Sequence, residues 1–175
     1  VSNNQVHDIR YQGIYVTNRS ATNDVQITQN TVYNTTYNWG IYVDNSGNSP
    51  RLEMVNNTVY GCRDGGLYFY NSYSSGTVTP LIEGNTLRDN NGIGLSVYNY
   101  RGAPPQIRHN TVYSNGGNGI QFEQSDSSPF QAAISLNDVH NNGGHGLYLS
   151  TSQFATVVHN SIYNNTQNGI YLTNA

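Results

Sequence analysis

Asn30-Thr31-Val32-Tyr33 recurs along the chain as Asn57-Thr58-Val59-Tyr60, Asn85-Thr86-Leu87-Arg88, Asn110-Thr111-Val112-Tyr113, Asn137-Asp138-Val139-His140 and Asn160-Ser161-Ile162-Tyr163. Asn4-Gln5-Val6-His7 is the first copy, and the intervals between successive Asn are 26, 27, 28, 25, 27 and 23. A period of this size marks a repeat architecture, in which stacked units share one continuous core. Each copy is followed by a Gly-apolar-x-apolar tetrad, from Gly13-Ile14-Tyr15-Val16 and Gly40-Ile41-Tyr42-Val43 to Gly146-Leu147-Tyr148-Leu149 and Gly169-Ile170-Tyr171-Leu172. An apolar residue stands three places before each Asn: Val1, Ile27, Met54, Ile82, Ile107, Ile134 and Val157.

Every repeat therefore holds three short segments with apolar residues at period two, which is the pattern of strands. Three strands per repeat fit one triangular coil of a parallel β-helix, not a helical solenoid or a four-stranded propeller blade. The expected fold is all-β: one solenoid domain over residues 1–175, with about seven coils stacked at about 4.8 Å. Val6, Val32, Val59, Leu87, Val112, Val139 and Ile162 should form one inward column. Ile14, Ile41, Leu67, Leu95, Ile120, Leu147 and Ile170 should form another. The repeated Asn should sit at a bend and bond its counterparts above and below. The tetrad Gly suits a corner needing positive φ or close backbone approach. The variable stretches Asn18–Asn23, Asn45–Arg51, Asn71–Pro80, Asn99–Pro105 and Gln124–Phe130 carry the Gly, Ser, Pro and Asn of loops.

The pattern N-x-V-x-x-N with a later G-I-x-L resembles the parallel β-helix repeat of the pectate-lyase-like superfamily. More narrowly, it is similar to the carbohydrate-binding and sugar-hydrolase type of repeat, over essentially the whole chain. The resemblance implies a right-handed coil and an extracellular or periplasmic polysaccharide setting. Its members include lyases, hydrolases, epimerases, phage fibre parts and non-catalytic surface modules.

Composition narrows the partners. Charged residues are 10% of the 175, the net charge is −3, and all seven basic residues are Arg. No basic patch exists for nucleic acid, and no apolar run approaches a membrane span. One cysteine, Cys62, has no internal partner and reads as a small buried corner residue. The chain begins with Val1 and reads as a piece of a larger extracellular protein or assembly.

No catalytic constellation survives comparison with the repeats. Gly144-His145-Gly146 looks like a glycosidase motif, but the same place holds Gly117-Asn118-Gly119 and Gln167-Asn168-Gly169 in the neighbouring coils. Glu83, Asp89 and Arg108 were the nearest candidates for a lyase-type cluster, with Glu83 and Arg108 expected as a stacked ion pair. His109 and His159 share a column two coils apart, too far for one zinc ion. His7 and His140 lie in a column of Tyr and Arg and read as surface aromatics. No catalytic residue, metal or cofactor is expected.

The strongest feature outside the core is aromatic. Tyr15, Tyr42, Tyr68, Tyr148 and Tyr171 lie between inward residues and so point outward, as do Tyr33, Tyr60 and Tyr113 in a second column. Such ladders stabilise a strand surface by like-pair contacts. They also offer a platform for sugar rings or for lateral packing against another rod. The expectation is a non-catalytic extracellular module that binds polysaccharide or self-assembles through its Tyr faces or uncapped ends. The alternative is a carbohydrate-active enzyme: a polysaccharide lyase, glycoside hydrolase or uronate epimerase.

Overall fold

The structure, a computed structural model, describes residues 1–19, 23–72, 78–124, 131–151 and 155–173. Among these residues there are three parallel sheets and no helix. The first sheet holds Gln5–Ile9, Thr31–Thr35, Thr58–Tyr60, Thr86–Arg88, Thr111–Tyr113, Asp138–His140 and Ser161–Tyr163. The second holds Ile14–Asn18, Trp39–Asn45, Gly65–Asn71, Ile93–Asn99, Ile120–Gln124, Leu147–Thr151 and Ile170–Thr173. The third holds Val25–Thr28, Leu52–Val55, Leu81–Glu83, Gln106–Arg108, Ala133–Ser135 and Thr156–Val158. Each strand pairs with the one a full coil away, so the chain winds as a solenoid. Of the variable stretches, residues 20–22, 73–77 and 125–130 lie outside the described residues.

Both inward columns stand where the repeat put them. Val6, Val32, Val59, Leu87, Val112, Val139 and Ile162 are in register. So are Ile14, Ile41, Leu67, Leu95, Ile120, Leu147 and Ile170. From Ile41 to Leu147 the second column is completely buried. Phe69 and Phe122, one pleat further along the second sheet, fill the same core with Ile27, Met54, Ile82, Ile107 and Ile134 of the third.

The Asn repeat forms the expected ladder. The Nδ2 of Asn4, Asn30, Asn57, Asn85, Asn110 and Asn137 donates to the Oδ1 of the next copy at 2.9–3.0 Å. That same Oδ1 also accepts the backbone N–H of the Asn one coil earlier. One amide thus satisfies both its neighbour's side chain and its neighbour's bend, which a buried corner requires.

Two further ladders stand at the other corners. Asn90, Asn115, Asn142 and Asn165 stack between the first and second sheets. Cys62 continues that column, its N–H donating to Asn90 Oδ1. The thiol is buried, and desolvation raises its pKa. Asn18, Asn45, Asn71 and Asn99 form the third ladder at the ends of second-sheet strands. These four Asn, expected at the start of the variable loops, instead close the second-sheet strands. Asn18, in a glycosylation-type triplet, is buried in its ladder.

Positive φ is not at the tetrad glycines. Apart from Gly65, which lies under Trp39, it falls on the residue immediately before each of the first two ladder positions. One corner holds Asn3, Gln29, Asn56, Gly84, His109, Leu136 and His159, and the other Asp8, Asn34, Gly61, Asp89, Ser114, Asn141 and Asn164. All lie between 53° and 66°. A single left-handed residue bends one strand into the next, and Asn and Asp tolerate it best among non-glycine residues. The tetrad glycines serve close approach instead. A Cβ at Gly13, Gly40, Gly94, Gly119 or Gly146 would meet the inward Val or Ile of the first sheet one coil on.

Leu136 is the least suited residue at these corners, 48% exposed at φ 56°. Leu136→Gly should stabilise the chain by about 1 kcal/mol, because the left-handed conformation costs a Cβ-bearing residue about 1–2 kcal/mol and glycine almost nothing. The melting temperature should rise by about 2–4 °C. A fall would show that the Leu136 side chain contributes packing that outweighs the strain.

Candidate functional site

The outward side of the first sheet carries one continuous stack. His7 lies on Tyr33 at 4.8 Å with ring planes 9° apart, and Tyr33 on Tyr60 at 4.8 Å and 2°. Arg88 follows, its guanidinium 4.2 Å above the Tyr60 ring and paired with Asp89. Tyr113, His140 and Tyr163 complete the column at 5.1 Å and 4.7 Å. Within each run the rings lie flat against one another, so the inner faces are covered by the rungs beside them, while the last rung, Tyr163, is exposed. Tyr33, Tyr60 and Tyr113 are therefore brought together as a strand-stabilising ladder of stacked and cation–π contacts.

The second sheet is different. Its central outward column runs Tyr15, Tyr42, Tyr68, Ser96, Gln121, Tyr148 and Tyr171. Ser96 is buried between its neighbours and separates two aromatic groups. In the first group Tyr15 is tilted 54° from Tyr42, whereas Tyr42 stacks on Tyr68 at 4.7 Å and 22°. Trp39 meets Tyr68 at 5.3 Å and 48°. Tilted rings leave faces open that a flat stack would hide. Tyr15 is 58% exposed. Tyr70 and Tyr98 stack at 5.6 Å in the adjacent outward column.

Local sequence explains the seat of Trp39. Between corner residue Thr35 and Gly40 stand four residues, Thr36, Tyr37, Asn38 and Trp39; in the other coils the same turn has three. The extra residue is accommodated with Thr35 Oγ1 donating to the Asn38 carbonyl at 2.5 Å. Trp39 pairs with Gly65 one coil on, and a Cβ there would collide with the indole. Gly65 thus makes the floor on which Trp39 lies.

Polar groups divide this face. Asn118 Nδ2 donates to Gln121 Oε1 at 2.9 Å, and Gln121 in turn donates to Glu123. Asp44 shares Glu123's column, and its buried Oδ1 has no hydrogen-bond partner among the described residues. Three coils separate the two carboxylates, about 14 Å at the strand spacing, beyond the reach of a glycosidase pair. Burial, with smaller contributions from Tyr42 and Glu123, pushes the Tyr68 phenol up to about 12. It keeps its proton and stays a donor throughout the neutral range.

In the second aromatic group His145 stacks on Tyr171 at 4.7 Å, with Tyr148 beside it. Its Nδ1 accepts the Asn168 N–H at 3.1 Å, just as Asn118 Oδ1 accepts the His145 N–H at 2.8 Å. An Asn side chain already makes this contact one coil earlier. His145→Asn should therefore cost at most about 1 kcal/mol in thermal or denaturant unfolding, the value of the lost ring stack. A larger loss of stability, or loss of an activity, would return this histidine to the candidates for chemistry.

The remaining candidates fall apart in space. Glu83 and Arg108 form the expected ion pair on the third sheet, at 3.1 and 3.2 Å. Asp89 belongs to a different corner and pairs with Arg88. His109 and His159 occupy left-handed corner positions two coils apart. Among the described residues no three His, Cys, Asp or Glu side chains converge as a metal site, and no helix is long and apolar enough to cross a membrane.

Sequence reasoning missed Trp39, Tyr70 and Tyr98. The signal for the two tyrosines was there: the period-two pattern runs past the tetrad in Gly65–Asn71 and Ile93–Asn99. Trp39 needed the extra residue of its turn to be noticed.

No curated protein matches the chain in sequence. Its fold is similar to that of the periplasmic alginate epimerase AlgG, solved as a double mutant, with TM-score 0.62 and 20% identity. The match covers 95% of this chain but 39% of that one, so the chain spans well under half of the epimerase's length. At that identity the likeness is one of fold. Residues 1–133 and 39–175 match the family described as right handed beta helix region. The chain belongs to the right-handed β-helix family.

Proposed function

We propose that this chain is a non-catalytic polysaccharide-binding β-helix module of an extracellular or periplasmic protein, and that the second-sheet face is its binding surface. The carrying observation is the cluster in which Tyr15 and Trp39 lie tilted against the stacked pair Tyr42 and Tyr68, with Tyr15 more than half exposed. Aromatic faces that are open, rigid and amphipathic suit the apolar faces of sugar rings, while the phenol edges suit their hydroxyls. The unpartnered Asp44 oxygen and the Asn118–Gln121–Glu123 row supply acceptors along the same face. An extended polymer lying along the solenoid axis would meet aromatic, polar and aromatic zones in turn. The location is inferred from this reading and from the periplasmic setting of the structural neighbour.

The test is affinity electrophoresis through gels containing a panel of acidic and neutral polysaccharides. Wild type should be retarded by at least one polymer. The combined replacement Tyr15→Ser, Tyr42→Ser and Tyr68→Ser should stay folded, since none points into the core, and should lose most of that retardation. Tyr33→Ser, Tyr60→Ser and Tyr113→Ser together should retain it. Free migration of wild type through every gel would overturn the reading. Release of unsaturated uronates or reducing ends from a polymer would favour the enzyme alternative instead.

A further inference from the structure

Three arginines hold a carboxylate: Arg51 with Glu53, Arg88 with Asp89, and Arg108 with Glu83. Arg10 and Arg63 do not. Neither guanidinium has an ion-pair partner among the described residues, and both are turned onto the same ring. The Arg10 Cζ lies 5.6 Å from the Tyr37 centroid and the Arg63 Cζ 5.7 Å from it. Arg10 also lies 5.6 Å from the ring of Tyr11. The backbone explains the convergence. Thr36 N–H donates to the Ile9 carbonyl and Arg63 N–H to the Thr35 carbonyl, which stacks Arg10, Thr36 and Arg63 in successive coils. Tyr37, in the lengthened turn, therefore stands between the two arginines. It is 48% exposed, and both arginines are exposed.

We propose that Arg10, Tyr37 and Arg63 form an oxyanion subsite at one end of the second-sheet face, selecting polysaccharides that carry a carboxylate or a sulfate. A guanidinium held over a ring keeps its planar N–H edge free. That edge fits a carboxylate or sulfate bidentately, which an ammonium cannot do. The aromatic contact also restrains two long side chains before a ligand arrives, which lowers the entropy lost on binding. The nearby acids leave the fork available. Asp8 directs one carboxylate oxygen to His7 and the other to Asn34. Asp64 adjoins Arg63 in sequence and makes no ion pair with it among the described residues. The subsite and the aromatic cluster share one turn, since Trp39 follows Tyr37 by two residues. The one coil that breaks the turn length thus supplies both the indole and the ring between the arginines.

This inference rests on the polysaccharide-binding reading but can fail without it. The probes are oligogalacturonate, dextran sulfate and neutral dextran, titrated at physiological ionic strength while following Trp39, the only tryptophan. Wild type should bind at least one acidic probe about tenfold or more tightly than dextran, in keeping with two charge-assisted contacts. Arg10→Gln with Arg63→Gln should abolish that preference, whereas Arg51→Gln, on the third-sheet side, should keep it. Arg10→Lys with Arg63→Lys should recover only part, since charge returns without the fork. Binding of oligogalacturonate alone or dextran sulfate alone would identify the anion as carboxylate or sulfate. Equal binding of acidic and neutral probes, or an acidic preference that survives loss of both arginines, overturns the subsite and leaves the binding face standing. No binding of any probe, with free migration through every polymer gel, overturns both. Thermal melts of each variant separate loss of binding from loss of fold.

Discussion

Ile120→Asn should unfold the solenoid at temperatures where wild type is intact. Ile120 is completely buried between Leu95 and Leu147 in the second-sheet column. Losing its aliphatic contacts costs roughly 2–5 kcal/mol, as large core truncations do. The buried amide adds roughly 1–3 kcal/mol, because the surrounding column offers it no partner. A fall in melting temperature of more than about 10 °C follows for a chain of this size. The damage should not stay local. Coils touch only their neighbours, so a coil that cannot stack deprives both adjacent coils of their interface. Protection from hydrogen exchange should drop in the strands on either side, Ile93–Asn99 and Leu147–Thr151. A melting temperature within a degree or two of wild type would contradict the inward assignment of the column.

Asn110→Leu should be nearly as damaging, through polar groups rather than packing. The Asn110 Nδ2 donates to Asn137 Oδ1, to the Ile82 carbonyl and to the Arg108 carbonyl. Its Oδ1 accepts both the backbone N–H and the side-chain Nδ2 of Asn85. Leucine is close in volume but takes from the two Asn85 donors their shared acceptor in a dry corner. At roughly 1–3 kcal/mol for each donor, the loss is on the order of 4 kcal/mol. The denaturation midpoint should fall with its slope unchanged, since the folded surface is the same. A loss below about 1 kcal/mol would mean that water replaces the amide and that the ladder is incidental to stability.

The fold was legible because burial in a solenoid repeats, and repetition multiplies a weak signal. The columns through Val32 and Ile41, the Asn4–Asn160 ladder and the Glu83–Arg108 pair followed from spacing alone. The other two ladders were hidden by the same chemistry that makes them. Asn is used at bends, loops and ladders alike, so Asn45, Asn71 and Asn99 looked like the start of variable loops. Thr35 and Cys62 hold the coils just before the Asn90–Asn165 column, so its Asn period starts late and is obscured. Of the two roles open to the tetrad glycines, positive φ and close backbone approach, the structure shows the second. Left-handed corners fall on Asn34, Leu136 and His159 as well as on Gly61 and Gly84, since a corner closed by a ladder can hold a single strained residue.

The candidate site was half legible. Alternation along a strand says that Tyr33 and Tyr42 both face outward; it does not say how their rings are turned. Ring orientation depends on what the next coil offers. In the first sheet Tyr60 and Arg88 continue a flat stack, so the faces are hidden. In the second sheet Ser96 ends the column, and Trp39 intrudes from the turn beside it, so Tyr68 meets neighbours at two angles. The distinction between a packing ladder and a binding face rests on those few substitutions.

The most direct measurement is aromatic carbon–proton NMR of the intact chain during titration with oligogalacturonate and with neutral dextran oligomers. Resonances of Trp39, Tyr42 and Tyr68 should shift or broaden with added sugar, while those of Tyr33, Tyr60 and Tyr113 stay fixed. Shifts confined to Tyr33, Tyr60 and Tyr113, or none at saturating concentrations of either sugar, would contradict the assignment of the second-sheet face as the binding surface.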